Sequence, residues 1–335
     1  MSTSEPPAWP HCAHGADPAA DPVGCRGVHV PGHTACLAHL AEADRNAYFA
    51  GLTPGASIDH RGTTFTEPLL NALLNALCAP MTRHPRLGDA EFRSATFEGI
   101  ARFRSATFEG VAGFVLATFE GVAGFGAATF QGVARFGSAT FEGVAGFESA
   151  IFKGDALFGS ATFNGDAGFR SATFQGVARF GSATFQGEAG FGPATFQGDA
   201  LFGSVKFEGD ALFRSAAFQG NTWFESTTFK GLAEFVSATF AGDTWCKSAT
   251  FQGKAGFRSA TFQGAAWFES ATFRGEARFG STTFQGDAVF KSTTFKSLAG
   301  FSEATFKVRV WFLSATSRAT PYSDRRRSRA TRYSG

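Results

Sequence analysis

Several residues on which a mixed globular core normally draws are scarce in this sequence. Only 2 Met and 3 Tyr occur among 335 residues, which excludes a typical globular composition. No apolar run approaches the roughly 18 residues needed to span a bilayer, so a transmembrane helix is excluded. The five Cys are an odd number, not spaced as a disulfide framework, and that usage points to a reducing cytoplasm. Residues 1–10 are polar and proline-bearing, lack a basic and then apolar leader pattern, and are expected to be disordered without acting as a secretory signal. No P-loop, dinucleotide-binding glycine fingerprint, nucleophile elbow or HExxH motif is present, and the repeated acids have no distinct catalytic partner. The expectation is a protein that is not an enzyme.

What the chain has instead is 42 Phe and 41 Gly. Phe at this density must be buried, which excludes a disordered chain. All the Phe residues except Phe49 and Phe65 fall in two ranks, 92, 103, 114 and onward to 312, and 97, 108, 119 and onward to 306. Each rank has an 11-residue period without slippage, and the one exception is Cys246, which reads as a small buried hydrophobe. Regularity of this kind is the signature of a solenoid. A helix is dismissed because Gly99, Gly110, Gly121 and their successors recur in nearly every period, and Ser94, Ser105 and Ser138 mark a second fixed offset. The position two before each Phe is almost always Ala, as at Ala90, Ala95 and Ala101. Small residues alternating with large ones suit short strands wound closely in a narrow tube.

The unit Ala95-Thr96-Phe97-Glu98-Gly99, repeated as Ala106-Thr107-Phe108-Glu109-Gly110, resembles the quintet of pentapeptide-repeat proteins. The likeness covers about residues 87–317, in the Phe-rich divergent branch of that family. It implies a mainly β fold, a right-handed quadrilateral β-helix with four quintets to a coil, in which the central Phe and the small residue two before it point inward. Every second quintet is followed by an extra residue, as at Ile100, Val111, Asp155 and Asp199, so a coil should take 22 residues. Four Trp support that length: Trp223, Trp245, Trp267 and Trp311 are separated by 22, 22 and 44 residues. With Leu201 and Val289 they form a candidate interaction ladder, because Trp is enriched at interface hot spots and a contiguous apolar stripe marks contact or self-association. The plainer alternative is that these residues only cover a groove on their own coil. Thr precedes most second-rank Phe, which packing and β-propensity explain.

Residues 11–86 read as a helical cap bearing Cys and His, since the open end of a solenoid needs cover. A helix is expected over residues 34–50, and a second over 66–78 with Thr66 as N-cap and Leu69, Leu70, Leu73, Leu74 and Leu77 on its apolar face. Between them Ile58 to Phe65 looks like an irregular quintet. His11, Cys12, His14, Cys25, His29, His33, Cys36 and His39 form the metal-like constellation of the chain. Cys12, Cys25, Cys36 and His39 would make a Cys₃His site for structural zinc, with His14 and His33 as substitutes. The alternative is an unmetallated cap. Residues 318–335 carry six Arg and one Asp and read as a basic disordered tail.

These observations predict a non-catalytic interaction scaffold in the cytoplasm, with a protein partner that the sequence does not name and homo-oligomerisation as one form of it. The resemblance implies an alternative, since some members of the family imitate duplex DNA and protect DNA gyrase. Residues 87–317 hold 19 Lys and Arg against 20 Asp and Glu, net −1, whereas an imitation of DNA calls for a strongly acidic face.

Overall fold

In a computed structural model describing residues 5–317, the 11-residue rhythm becomes a β-solenoid of about 11 coils, about 22 residues each. The basic tail, and residues 1–4 of the expected N-terminal disorder, lie outside the described residues. Every strand is two residues long, and the strands stack in parallel into four sheets of 12, 12, 10 and 11. Following the chain around one coil, the strands are Ala112–Gly113, Thr118–Phe119, Ala123–Gly124 and Thr129–Phe130. The first and third of these lie on opposite faces, as do the second and fourth. Because each strand pairs with the one 22 residues on, Phe119 stands over Phe141 and Phe130 over Phe152.

Each inward position is buried because the pleat alternates. Ala is inward at the first residue of one pair of faces, while Phe follows directly after the strand; on the other pair Phe is itself the second strand residue. Inside the tube, rings in one column stack in parallel, as Phe147 on Phe169 at 4.9 Å and 2°. Successive rings of the first rank meet edge-on, as Phe147 against Phe158 at 5.4 Å and 87°. Each such aromatic pair contributes about 0.5–1.5 kcal/mol beyond its burial. Cys246 takes a ring position in the column of Phe224 and Phe268 and is buried. The reading of it as a small core residue holds.

The corners differ from one another in how they turn. After each first-rank Phe the chain makes a turn closed by a bond such as Ala95 N–H to Phe92 O (3.0 Å). Its third residue, normally Ser, has φ between 54° and 60°, as at Ser138 and Ser182, which is the type II arrangement. At most of the other corners where the extra residue is Asp or Asn, its side chain has a structural role. Asp155 Oδ1 accepts from Val177 N–H at 2.9 Å, and Asp199, Asn221 and Asp243 form a relay up one corner, each accepting from the backbone N–H 22 residues on. A side-chain oxygen thereby satisfies an amide that the strand ladder leaves out.

The parallel ladders begin at β1 (Ile58–Asp59) and β2 (Thr64–Phe65), which pair with Ala90–Glu91 and Thr96–Phe97. The segment read as an irregular quintet is thus the start of the first coil, and Phe65 is buried in the common core. Helix α1 spans Glu42–Gly51 and α2 spans Glu67–Ala76. Thr66 caps α2, its Oγ1 accepting from Leu69 N–H at 3.4 Å, while Leu70, Leu73, Leu74 and Leu77 are buried. Helix α2 fills the place where a strand of the ten-stranded sheet is missing from the first coil, and packs on Ala101–Arg102. The expected helix over 34–50 is shorter than the spacing suggested. Leu37 and Leu40 are buried, but in turns ahead of α1.

Register places His60 where the first coil would have its Phe, because Ile58 pairs with Ala90 and His60 therefore lies under Phe92. Its ring is 1% exposed and packs edge-on to Phe65, with Tyr48 Oη 3.2 Å from Nε2. Burial pushes the imidazole down to about 4, the Asp59 carboxylate opposing. An unfolded His takes up its proton near 6.5, so below that pH the unfolded chain gains a proton that the fold refuses. Stability supplied by neutral His60 is complete above pH 6.5 and declines as pH falls towards 4, by up to about 3 kcal/mol. Thermal melts should show this loss, and His60→Phe should flatten it. An identical pH slope in the variant would refute the assignment.

Candidate functional site

Two parts of the molecule combine residues capable of chemistry or recognition. The first is the N-terminal Cys/His cluster. The chain forms an antiparallel hairpin in which Cys12 N–H donates to Gly27 O (2.9 Å), Ala13 N–H to Cys25 O (2.9 Å) and Cys25 N–H to His14 O (3.0 Å). A tight turn, His39 N–H to Cys36 O at 3.0 Å, brings the other two side chains over it. The Sγ atoms of Cys12, Cys25 and Cys36 and a ring nitrogen of His39 all lie within 4.8 Å of one another. Cys25 Sγ is 3.7 Å from Cys36 Sγ, while His39 Nδ1 is 3.6 Å from Cys12 Sγ and 3.4 Å from Cys36 Sγ.

The hydrogen bond with Cys36 holds the Cys25 thiol below the ordinary range, against its partial burial and helped by Gly27 N–H and His39. The same contact, with burial, pushes the Cys36 thiol up. The hairpin is docked on the first coil through Val28 N–H to Arg61 O (2.8 Å) and through the Arg61 guanidinium 5.1 Å over the Trp9 ring, while Trp9 Nε1–H donates to Arg26 O (2.9 Å) within the N-terminal segment.

The fold separates the ligand set of the sequence reading from its substitutes. His14 stacks on the His39 ring at 4.1 Å, and His33 Nδ1 faces Asp44 Oδ2 at 3.9 Å. His29 Nε2 lies 2.7 Å from the backbone oxygen of His11. Cys36 and His39 sit in turns rather than on a helix start.

The second part is the column of residues that follow the inward Ala, Thr or Val on one twelve-stranded face. Leu201, Trp223, Trp245, Trp267, Val289 and Trp311 pair consecutively in register. The Trp223 and Trp245 rings stack at 4.8 Å and 8°, and Trp245 and Trp267 at 5.0 Å and 11°. Stacking leaves these three half-buried, whereas Trp311 is 47% exposed. Lys247 Nζ lies 6.0 Å over the Trp267 ring. The relay of Asp199, Asn221 and Asp243 runs along the adjacent corner, so this stretch of the face is braced by side chain as well as by strand ladder. The sequence signalled the Trp column through its 22-residue spacing. It did not signal the relay, which needs the coil closed before Asp199 and Asn221 become neighbours.

Comparison with protein families finds pentapeptide repeats (9 copies) matched over residues 125–173, 169–216, 202–250 and 247–294. The chain belongs to the pentapeptide-repeat family. These matches cover the central coils, where the quintets follow one another without the helical insertion of the first coil. Neither curated proteins nor solved structures gave a match to this pentapeptide-repeat chain. No helix among its described residues is long and apolar enough to cross a membrane.

Proposed function

We propose that this pentapeptide-repeat protein is a non-catalytic scaffold, working in a reducing cytoplasm, whose tryptophan face docks a protein partner. The observation that carries the reading is the stacked Trp223, Trp245 and Trp267 column on a braced ladder. Pre-stacked rings lose little side-chain freedom on binding, and flat aromatic area is what protein hot spots use. The near balance of charge along residues 87–317 supports this reading over imitation of DNA at gyrase.

The test is the triple variant Trp223→Ser, Trp245→Ser and Trp267→Ser. Strand content should be retained, since the column lies outside the Phe core. Cross-linking from the Trp face in the native host, with light scattering to show whether the partner is a second copy, should give a complex that the variant loses. An equal complex with wild type and variant would discard the tryptophan face as the docking surface. A supercoiling assay that shows gyrase inhibited or protected would revive the alternative.

A further inference from the structure

We infer that Cys12, Cys25, Cys36 and His39 bind a structural zinc ion that pins the N-terminal hairpin and the 36–39 turn together over the first coil. The argument begins with distance. Zn–S bonds of about 2.3 Å and a Zn–N bond of about 2.0–2.1 Å, placed tetrahedrally, require S···S edges of about 3.8 Å and S···N edges of about 3.6 Å. The cluster has 3.7 Å between Cys25 and Cys36 Sγ, and 3.6 and 3.4 Å from His39 Nδ1 to Cys12 and Cys36 Sγ. Three thiols and an imidazole are weak hydrogen-bond partners for one another. Drawing them together from three separate places in the chain has a physical reason if a cation occupies their centre.

The surroundings agree. Gly27 N–H points at Cys25 Sγ from 3.4 Å, the amide-to-sulfur contact that steadies a ligating thiolate. Gly27 must also lack a side chain, because a Cβ there would stand 2.6 Å from Cys36 Cβ and 2.8 Å from its Sγ. His14 stacking fixes the plane of the His39 ring and leaves Nδ1 turned to the sulfurs. Four protein ligands, three of them soft, fill a tetrahedron and leave no open position for substrate, which is the structural class of zinc site. The segment it would hold has few buried apolar residues of its own: Val23, Val30, Cys36, Leu37 and Leu40 are buried between residues 11 and 41. Metal binding would therefore supply order that packing does not.

Zinc content of the full-length protein, purified without added metal, tests this together with Co²⁺ replacement. Stoichiometric zinc is expected, and Co²⁺ should give the intense visible bands and thiolate charge-transfer absorption of a tetrahedral site with sulfur ligands. Cys25→Ser and Cys36→Ser should abolish both signals, whereas Cys78→Ser and Cys246→Ser should retain them. Gly27→Ala should weaken zinc about 10–100-fold, as other disturbances around a ligand shell do. Chelation should open residues 11–39 to protease and their thiols to alkylation while leaving the rod's strand signal intact. Wild-type protein that holds no stoichiometric zinc and gives no thiolate–cobalt spectrum would overturn the inference. So would intact zinc in the Cys36→Ser variant, or a Cys25–Cys36 disulfide in protein purified under reducing conditions.

Discussion

Replacing Phe169 by Ala will destabilise the rod by about 3–5 kcal/mol, the range for removing a fully buried ring. Phe169 is fully buried; it stacks on Phe147 and Phe191 at 4.9 and 4.8 Å and meets Phe158 and Phe180 edge-on at 5.5 and 5.4 Å. Its neighbours are themselves held at a fixed spacing by strand ladders above and below, so the cavity cannot collapse far. A solenoid interacts coil to coil, and the loss should therefore be felt as a weak joint in mid-rod, with the two flanks unfolding at separate denaturant concentrations. Phe312, at the far end and 45% exposed, is the comparison: Phe312→Ala should cost under about 1 kcal/mol, because little burial is lost. Equal costs at the two positions would refute the account of a continuous ring stack as the source of cohesion.

The second large effect comes from a glycine whose necessity is spatial. A Cβ on Gly165 would lie 2.6 Å from both the carbonyl carbon and oxygen of Gly143 and 3.0 Å from Val144 N. These are backbone atoms of the preceding coil, unable to move without opening the ladder. Gly165→Val should therefore exceed about 3 kcal/mol, beyond the usual cost of overpacking. Gly159, in the same coil, supplies the control. A Cβ there would find its nearest neighbour, Gly181 O, at 3.7 Å, and the equivalent positions elsewhere carry Val115 and Val236. Gly159→Val should stay within about 0.5 kcal/mol of wild type. Paired urea melts decide the matter, and comparable losses at both sites would sink it.

These two glycines show how far the sequence could be read. Fixed offsets of Gly and Ser announced the corners, and the Phe ranks with the Trp spacing announced the period and the coil length. Which residue turns the chain was not visible. The left-handed position belongs to Ser, while the Gly column answers to the closeness of the coils, with only Gly99 in it at positive φ. The beginning of the solenoid was obscured for a related reason: His60 and Leu87 stand where Phe would be expected, paired under Phe92 and Phe108, and the insertion of α2 breaks the count. At the Cys/His cluster, the density of soft side chains was legible in order along the chain. The four candidates Cys12, Cys25, Cys36 and His39, with His14 and His33 as substitutes, were legible too, whereas the hairpin and the turn that bring those four within 4.8 Å of one another were not. The overextended helix at residue 34 followed from Leu37 and Leu40, whose spacing suits a helix although both are buried as parts of turns.

The closure of each coil at 22 residues also governs how such a chain can grow or shrink. Opposite faces differ in what they display, with Trp223, Trp245 and Trp267 on one side and Gly190, Leu212, Glu234 and Gly256 on the other. Gain or loss of a whole lap by recombination between near-identical segments keeps every later side chain on its own side. A change of half a lap preserves the ring stack equally well, yet it rotates everything downstream by half a revolution and breaks a continuous stripe in two. Core cohesion is blind to that difference, so whatever reads the outer surface is what would hold the number of half-laps to whole pairs.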